Sequence, residues 1–214
     1  MDEDLAIIEK NARKEEIKKF FIKHKKKFYF LASLILLTIL STFYYLDNVK
    51  KQKVEVANKY IESAINYNLK KKAYYLKEFN EIISTNDTTY APLALFFLID
   101  NKVLESNEEI NRLFNQVLNH SNLDKEIKNL VIYKKALINA DFQPGNIMID
   151  ILKPVINSAS FWKPHSLLLL GDYFLFKGEK QKAKDFYSQI LTSQKTNENI
   201  FNQAQQRILK NYVE

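Results

Sequence analysis

Histidine, cysteine and clustered acids build most catalytic and metal sites, and this chain of 214 residues holds few of them. Its three histidines are His24, His120 and His165, and cysteine is absent. The missing thiols exclude disulfides, thiol catalysis and thiolate-held metals. No His-Glu-x-x-His run sets two ligands on one helical face. Gly145, Gly171 and Gly178 are the only glycines, too scattered to cradle a phosphate. Serine is plentiful, yet no Gly-x-Ser-x-Gly elbow presents one as a nucleophile. Glu108 and Glu109 read as a solvated first helical turn, and each histidine as a surface or helix-end residue. Phe161, Trp162 and Pro164 read either as a sticky loop or as a helix junction packed by Trp162. A cryptic cell-wall enzyme would need an acid of perturbed acidity in a cleft, and nothing in the sequence marks one. The residues therefore predict no enzyme, no cofactor and no metal.

The charge balance narrows the partners. Residues 1–27 hold nine basic and six acidic side chains out of a total net charge of +7, and the remainder is spread thinly. No dense basic stripe recurs, so no nucleic-acid partner is expected.

What must position any function is an anchor. Residues 28–46, FYFLASLILLTILSTFYYL, carry no charge. As a helix they rise roughly 28 Å, close to the hydrocarbon thickness of a bilayer, about 30 Å. Phe28, Tyr29 and Phe30 open the run, and Phe43, Tyr44 and Tyr45 close it, as interfacial aromatic belts do. The sequence predicts a transmembrane helix from Phe28 to Leu46. Eight Lys or Arg lie in the 15 residues before it and four in the 15 after, which places the N-terminus in the cytoplasm. The apolar run is too long for a signal peptide and no small-x-small site follows it, so the anchor is expected to stay uncleaved. In the tail, residues 1–27, Leu5, Ile8 and Ala12 recur at helical spacing. The early acids Asp2, Glu3 and Asp4 and the late lysines suit the two ends of a short helix.

Behind the anchor, in residues 47–214, apolar residues recur three and four apart and no stretch alternates with period two. The spacing predicts an all-α domain with helices at 49–67, 69–84, 89–104, 107–119, 123–140, 144–157, 164–177, 179–192 and 197–212. Ser106 with Glu109 makes a capping box, Thr88 can cap the helix that follows it, Pro144 suits a first turn and Gly178 a helix end.

Leu167, Leu170, Gly171 and Phe174 are followed by Gly178, Ala183, Tyr187 and Ile190. This pattern, L-x2-L-G-x2-F and then A-x3-Y-x2-I, resembles the 34-residue tetratricopeptide repeat of two antiparallel helices. Gly171 and Ala183 are small where two helices approach closely, and Phe174 and Tyr187 fill the space between them. The pattern departs from the full motif at Leu167, where Trp is usual, and at Lys195, where Pro is usual. Ile110, Phe114 and Val117, and again Ile147, Ile151 and Pro154, have the spacing of a second repeat helix. The expected architecture is a tetratricopeptide-like α-solenoid of about four helix pairs with a capping helix. A regular repeat would then turn His165, Leu168, Asp172 and Leu175 toward a peptide-binding groove.

The whole layout resembles the ancillary SecYEG translocon subunit family. The likeness rests on the opening DEDLAIIEKNARKEEIKKFFIKHKKKFYF, on residues 90–97 and 166–187, and on the closing NQAQQRILKNY. It implies a bacterial inner-membrane protein with a cytoplasmic N-terminus and a periplasmic domain. Its implied partners are Sec translocon components or periplasmic chaperones. The alternative is an envelope or cell-division assembly factor that works by self-association; the sequence does not fix the oligomeric state.

Overall fold

Nothing between Asp2 and Ile65 breaks a helix: the segment has no Gly, no Pro and no turn cluster. The computed structural model describes residues 2–193 and 197–212, with side chains from Arg13 onward except those of residues 16, 17 and 21. In it a single helix, α1, runs Asp2–Ile65. The separate helix expected from Val49 is therefore the continuation of α1. Asp47 does not end the anchor but pairs with Lys51 one turn on, at 2.7 Å. The side chains of Asp2, Glu3, Asp4, Leu5, Ile8, Ala12 and Lys195 lie outside the described residues.

The chain divides into two units, Met1–Glu55 and Val56–Glu214. In the first, residues 28–46 are exposed throughout. Among the described residues one helix is long and apolar enough to cross a membrane, and none of its most apolar stretch is buried. The hydroxyls inside that stretch are already satisfied by the helix itself. Ser33 donates to the Phe30 carbonyl, Thr38 to Ile35 and Thr42 to Thr38. A bilayer interior demands that satisfaction, because it offers polar groups no water.

In the second unit the first inward-facing side chains are Val56 and Tyr60. A single 3-10 turn, Leu69–Lys71, capped by the Asn68 side chain, opens the succession. Then follow α2 (Lys72–Ser84), α3 (Tyr90–Asp100), α4 (Asn107–His120), α5 (Lys125–Asn139), α6 (Gly145–Ile156), α7 (Lys163–Phe176), α8 (Lys180–Leu191) and α9 (Glu198–Tyr212). The unit is all-helical among the described residues. Local chemistry sets the helix ends. Ser106 Oγ accepts from Glu109 N–H at 3.1 Å, and Asp124 Oδ1 from Glu126 N–H at 3.0 Å. Thr88 does not cap α3. Asp87 does, with Oδ1 accepting from the N–H groups of Thr89 and Tyr90 at 2.8 and 2.7 Å.

Two helix ends use the same C-terminal lock. After α7, Gly178 takes φ +80°, its N–H reaches the Leu175 carbonyl and Glu179 N–H reaches that of Phe174. After α3, Lys102 takes φ +51°, with Lys102 N–H on Ile99 and Val103 N–H on Leu98. A lysine in the left-handed region is strained by roughly 1 kcal/mol where glycine is not. Lys102→Gly should accordingly raise the melting temperature by about 2–4 °C, measured by circular dichroism.

From α2 onward each helix packs on the next in sequence, and the alternate pairs α2 with α4, α5 with α7, and α7 with α9 also touch. The helix starts are regular. α2, α4, α6 and α8 begin at residues 72, 107, 145 and 180, and α3, α5, α7 and α9 at 90, 125, 163 and 198. Both series step by 35, 38 and 35 residues.

The apolar interior forms two clusters. One joins α2, α3 and α4 through Phe79, Ile82, Ile83, Leu95, Leu98 and Phe114. The other joins α6, α7, α8 and α9 through Met148, Leu152, Phe174, Tyr187 and Ala204. Helix α5 serves both, giving Val131 to the first and Ile132 and Ala136 to the second. Between them Asn139, nearly inaccessible, exchanges two amide hydrogen bonds with Asn111 at 3.0 and 2.9 Å. This pairing offsets the cost of burying the amides.

Candidate interaction surface

The residues of the repeat signature are interior ones. Leu167, Leu170, Phe174, Ala183, Tyr187 and Ile190 are buried in the second cluster, and Gly178 makes the turn between α7 and α8. A Cβ on Gly171 would sit 2.3 to 2.9 Å from three atoms of the Tyr187 ring. Only glycine lets α7 and α8 approach this closely. The proposed phase of α6 is displaced by one residue. Met148, Leu152 and Val155 face inward, whereas Ile147 and Pro154 are exposed.

The four groove positions diverge. Leu168 is buried and Leu175 packs partly against the same core. Asp172 is engaged by two neighbours: Tyr187 Oη donates to its Oδ1 at 2.7 Å, and Arg207 Nε, from α9, donates to the same oxygen at 3.0 Å. His165 stays half-exposed, on the same open side of α7 as Asp172. Four of the half-accessible side chains here, Trp162, His165, Leu169 and Asp172, are spaced three and four apart along one helical line, with Lys163 and Leu175 to either side of it.

At the start of α7 that line becomes an aromatic patch. Trp162 stacks on Tyr133 of α5, with centroids 5.4 Å apart and planes at 26°. His165 lies 5.2 Å from both Phe161 and Trp162. Phe161 is 60 % exposed. Phe161 and Trp162 thus realise both readings of the loop: Trp162 packs a junction and Phe161 stays open.

A polar clamp holds the patch in place. Ser160 Oγ donates to Glu126 Oε2 at 2.8 Å, and Phe161 N–H donates to the same oxygen at 3.1 Å. Lys125 Nζ reaches the Ala159 carbonyl at 3.2 Å, and Trp162 N–H donates to Ser160 Oγ. The first turn of α5 therefore fixes the loop that presents the aromatic rings. Sequence spacing did not point to Glu126, Tyr133 or Arg207, because each acts on a residue about a whole helix pair away.

The acidity of the surrounding groups follows from the packing. Burial and then the Asp172 carboxylate push the Tyr187 phenol far above its ordinary value. Burial chiefly, and then the same carboxylate, also raise Tyr133. The hydrogen bond that Arg207 donates to Asp172 is the main cause that raises Arg207. In the unfolded chain tyrosine ionises near pH 10, so the folded state holds the Tyr187 proton more tightly than the unfolded one. That contribution is complete below about pH 10 and is lost as pH rises toward the folded value. Tyr187→Phe should lose about 1.5 kcal/mol at neutral pH, a hydrogen bond to a charged acceptor. Its stability should also fall less steeply than the parent's above pH 10, as urea titrations at pH 7, 10 and 11 would show.

Among the described residues no group of three His, Cys, Asp or Glu side chains could hold a metal ion. No family model, curated protein or solved structure matches the chain.

Proposed function

We propose that the chain is a membrane-anchored scaffold for protein–protein interaction, its second unit a degenerate tetratricopeptide-like array of helix pairs. The observation that carries this reading is the register of its long-range contacts. Lys72 with Glu105, Ser84 with Gln116, Glu126 with Ser160, Asp172 with Arg207, and Lys180 with Tyr212 are all hydrogen-bonded at separations of 32 to 35 residues. In stacked repeats of that length, such residues occupy equivalent places on neighbouring units and meet laterally. The helix starts, stepping by 35, 38 and 35 residues, supply a similar period independently. Pairs α3/α4, α5/α6 and α7/α8 are then repeats, the end of α1 with α2 a degenerate first one, and α9 the cap.

Stacked pairs of this kind bind extended or helical peptides on an open face. The patch of Tyr133, Phe161, Trp162 and His165 has the rigid aromatic character that interface hot spots favour. The span of residues 28–46 tethers the array to a bilayer, and by the lysine excess before it the N-terminus is cytoplasmic and the array periplasmic. By its resemblance to the ancillary SecYEG translocon subunits, the partner is a translocon component or a periplasmic chaperone acting on translocated chains.

Crosslinking in the native inner membrane, with mass-spectrometric identification, tests this reading. Recovery of channel subunits or periplasmic chaperones supports it. Recovery of the chain crosslinked only to itself would replace it with self-assembly. Protease added to intact inside-out vesicles should spare the second unit and remove the tail.

A further inference from the structure

From residue 17 to residue 46 the chain has no Asp or Glu, yet it carries six lysines immediately before the span: Lys18, Lys19, Lys23, Lys25, Lys26 and Lys27. All six are exposed side chains on the continuous helix α1. At 100° per residue they fan across one broad side of that helix, with Ile22 among them. Phe20, His24, Phe28 and Leu31 fall within a narrow strip on the other side. The Phe20 ring stands edge-on to His24 at 4.7 Å and to Phe28 at 6.3 Å, so the strip is one aromatic column leading into the span.

The uncharged run that begins at Phe28 fixes how deep this column lies. At 1.5 Å per residue the six lysines fall within about 15 Å of the first residue of the span. Their alkyl stems can lie along apolar surface while the ammonium groups reach outward. Lys23, Lys25, Lys26 and Lys27 fall at the headgroup layer of the adjoining leaflet, roughly 5–7 Å thick, and Lys18 and Lys19 stand about a Debye length beyond it, still within reach of its negative surface potential. No Asp or Glu lies from residue 17 to residue 46, so the lysines present a concentrated positive field at this level, which suits a partner of opposite charge. Lysine clusters in this position recruit anionic headgroups.

We propose that residues 18–27 form a binding surface for the phosphate headgroups of anionic phospholipids. The helix there leaves the bilayer through an anionic leaflet, continuous with the span, and gathers such lipids around the anchor. This rests on insertion of residues 28–46 into a bilayer and is independent of what the folded unit binds.

The test is electron spin resonance of the full chain reconstituted in vesicles doped with spin-labelled phosphatidylglycerol or phosphatidylcholine. The motionally restricted fraction should favour phosphatidylglycerol by about threefold or more at low salt. The preference should approach unity in 1 M salt and in a variant with all six lysines changed to Gln. Flotation with the vesicles confirms that the variant still inserts, and the paired changes K18Q/K19Q and K26Q/K27Q should each give a partial loss. Equal restriction of the two lipids around the parent chain would overturn the proposal. So would a preference that survives the six substitutions, or lysines that crosslink to an acidic protein while showing no lipid preference. Crosslinking through the aromatic patch would be unaffected in every case, so failure here is separable from failure of the scaffold reading.

Discussion

Gly171→Val is expected to destabilise the second unit by about 3 kcal/mol, at the upper end of overpacking costs. The ring of Tyr187 leaves no room for a Cβ and is itself fully buried, so neither partner can yield. Gly171→Ala should lose less, since alanine recovers up to about 1 kcal/mol of helix propensity. Trimming the ring in Gly171→Ala/Tyr187→Leu should restore part of the loss, and a double-mutant cycle in urea would measure that coupling. If the double variant is as unstable as the sum of the singles, the close approach of α7 and α8 does not depend on this pair.

Phe79→Ala should cost about 3–5 kcal/mol, the range for removing a fully buried aromatic ring. Phe79 is inaccessible, stacks on Phe97 at 4.4 Å, and meets Tyr60 edge-on at 6.1 Å. A loss of that size is a large fraction of a typical domain's stability of about 5–15 kcal/mol. The location of the damage is as informative as its size. With two apolar clusters joined through α5, hydrogen exchange should accelerate first in α2, α3 and α4 and spare α7 and α8. Uniform acceleration from α2 to α9 would mean that the two clusters unfold as one cooperative unit.

Helix positions were legible because three- and four-residue spacing is a local signal. Every helix expected from residue 69 onward is present, and the ends at Ser106 and Gly178 fall where a capping hydroxyl and a positive φ put them. The break expected between anchor and domain is absent because Asp47 and Asn48 do not stop a helix that has Lys51 to pair with. Asp87 took the role expected of Thr88 because a carboxylate one residue earlier accepts two N–H groups at once. The one-residue shift in α6 arises because isoleucine and methionine are both apolar, and only packing tells Met148 from Ile147. The groove positions were the least legible. They assumed a regular repeat, but Asp172 is drawn toward Tyr187 and Arg207, and Leu168 is turned into the core. The aromatic patch depends on contacts of Tyr133 and Glu126 with a loop about 30 residues away, which no window along the chain reveals.

A scaffold of this kind meets its partner at the aromatic patch. A photo-crosslinking residue placed at Phe161, with a control at the exposed Asp150 of α6, tests this in the native membrane. A discrete adduct with another protein is expected from position 161, abolished by Trp162→Ala, and none from position 150. An adduct from position 150 alone, or equal labelling from both positions, would contradict it.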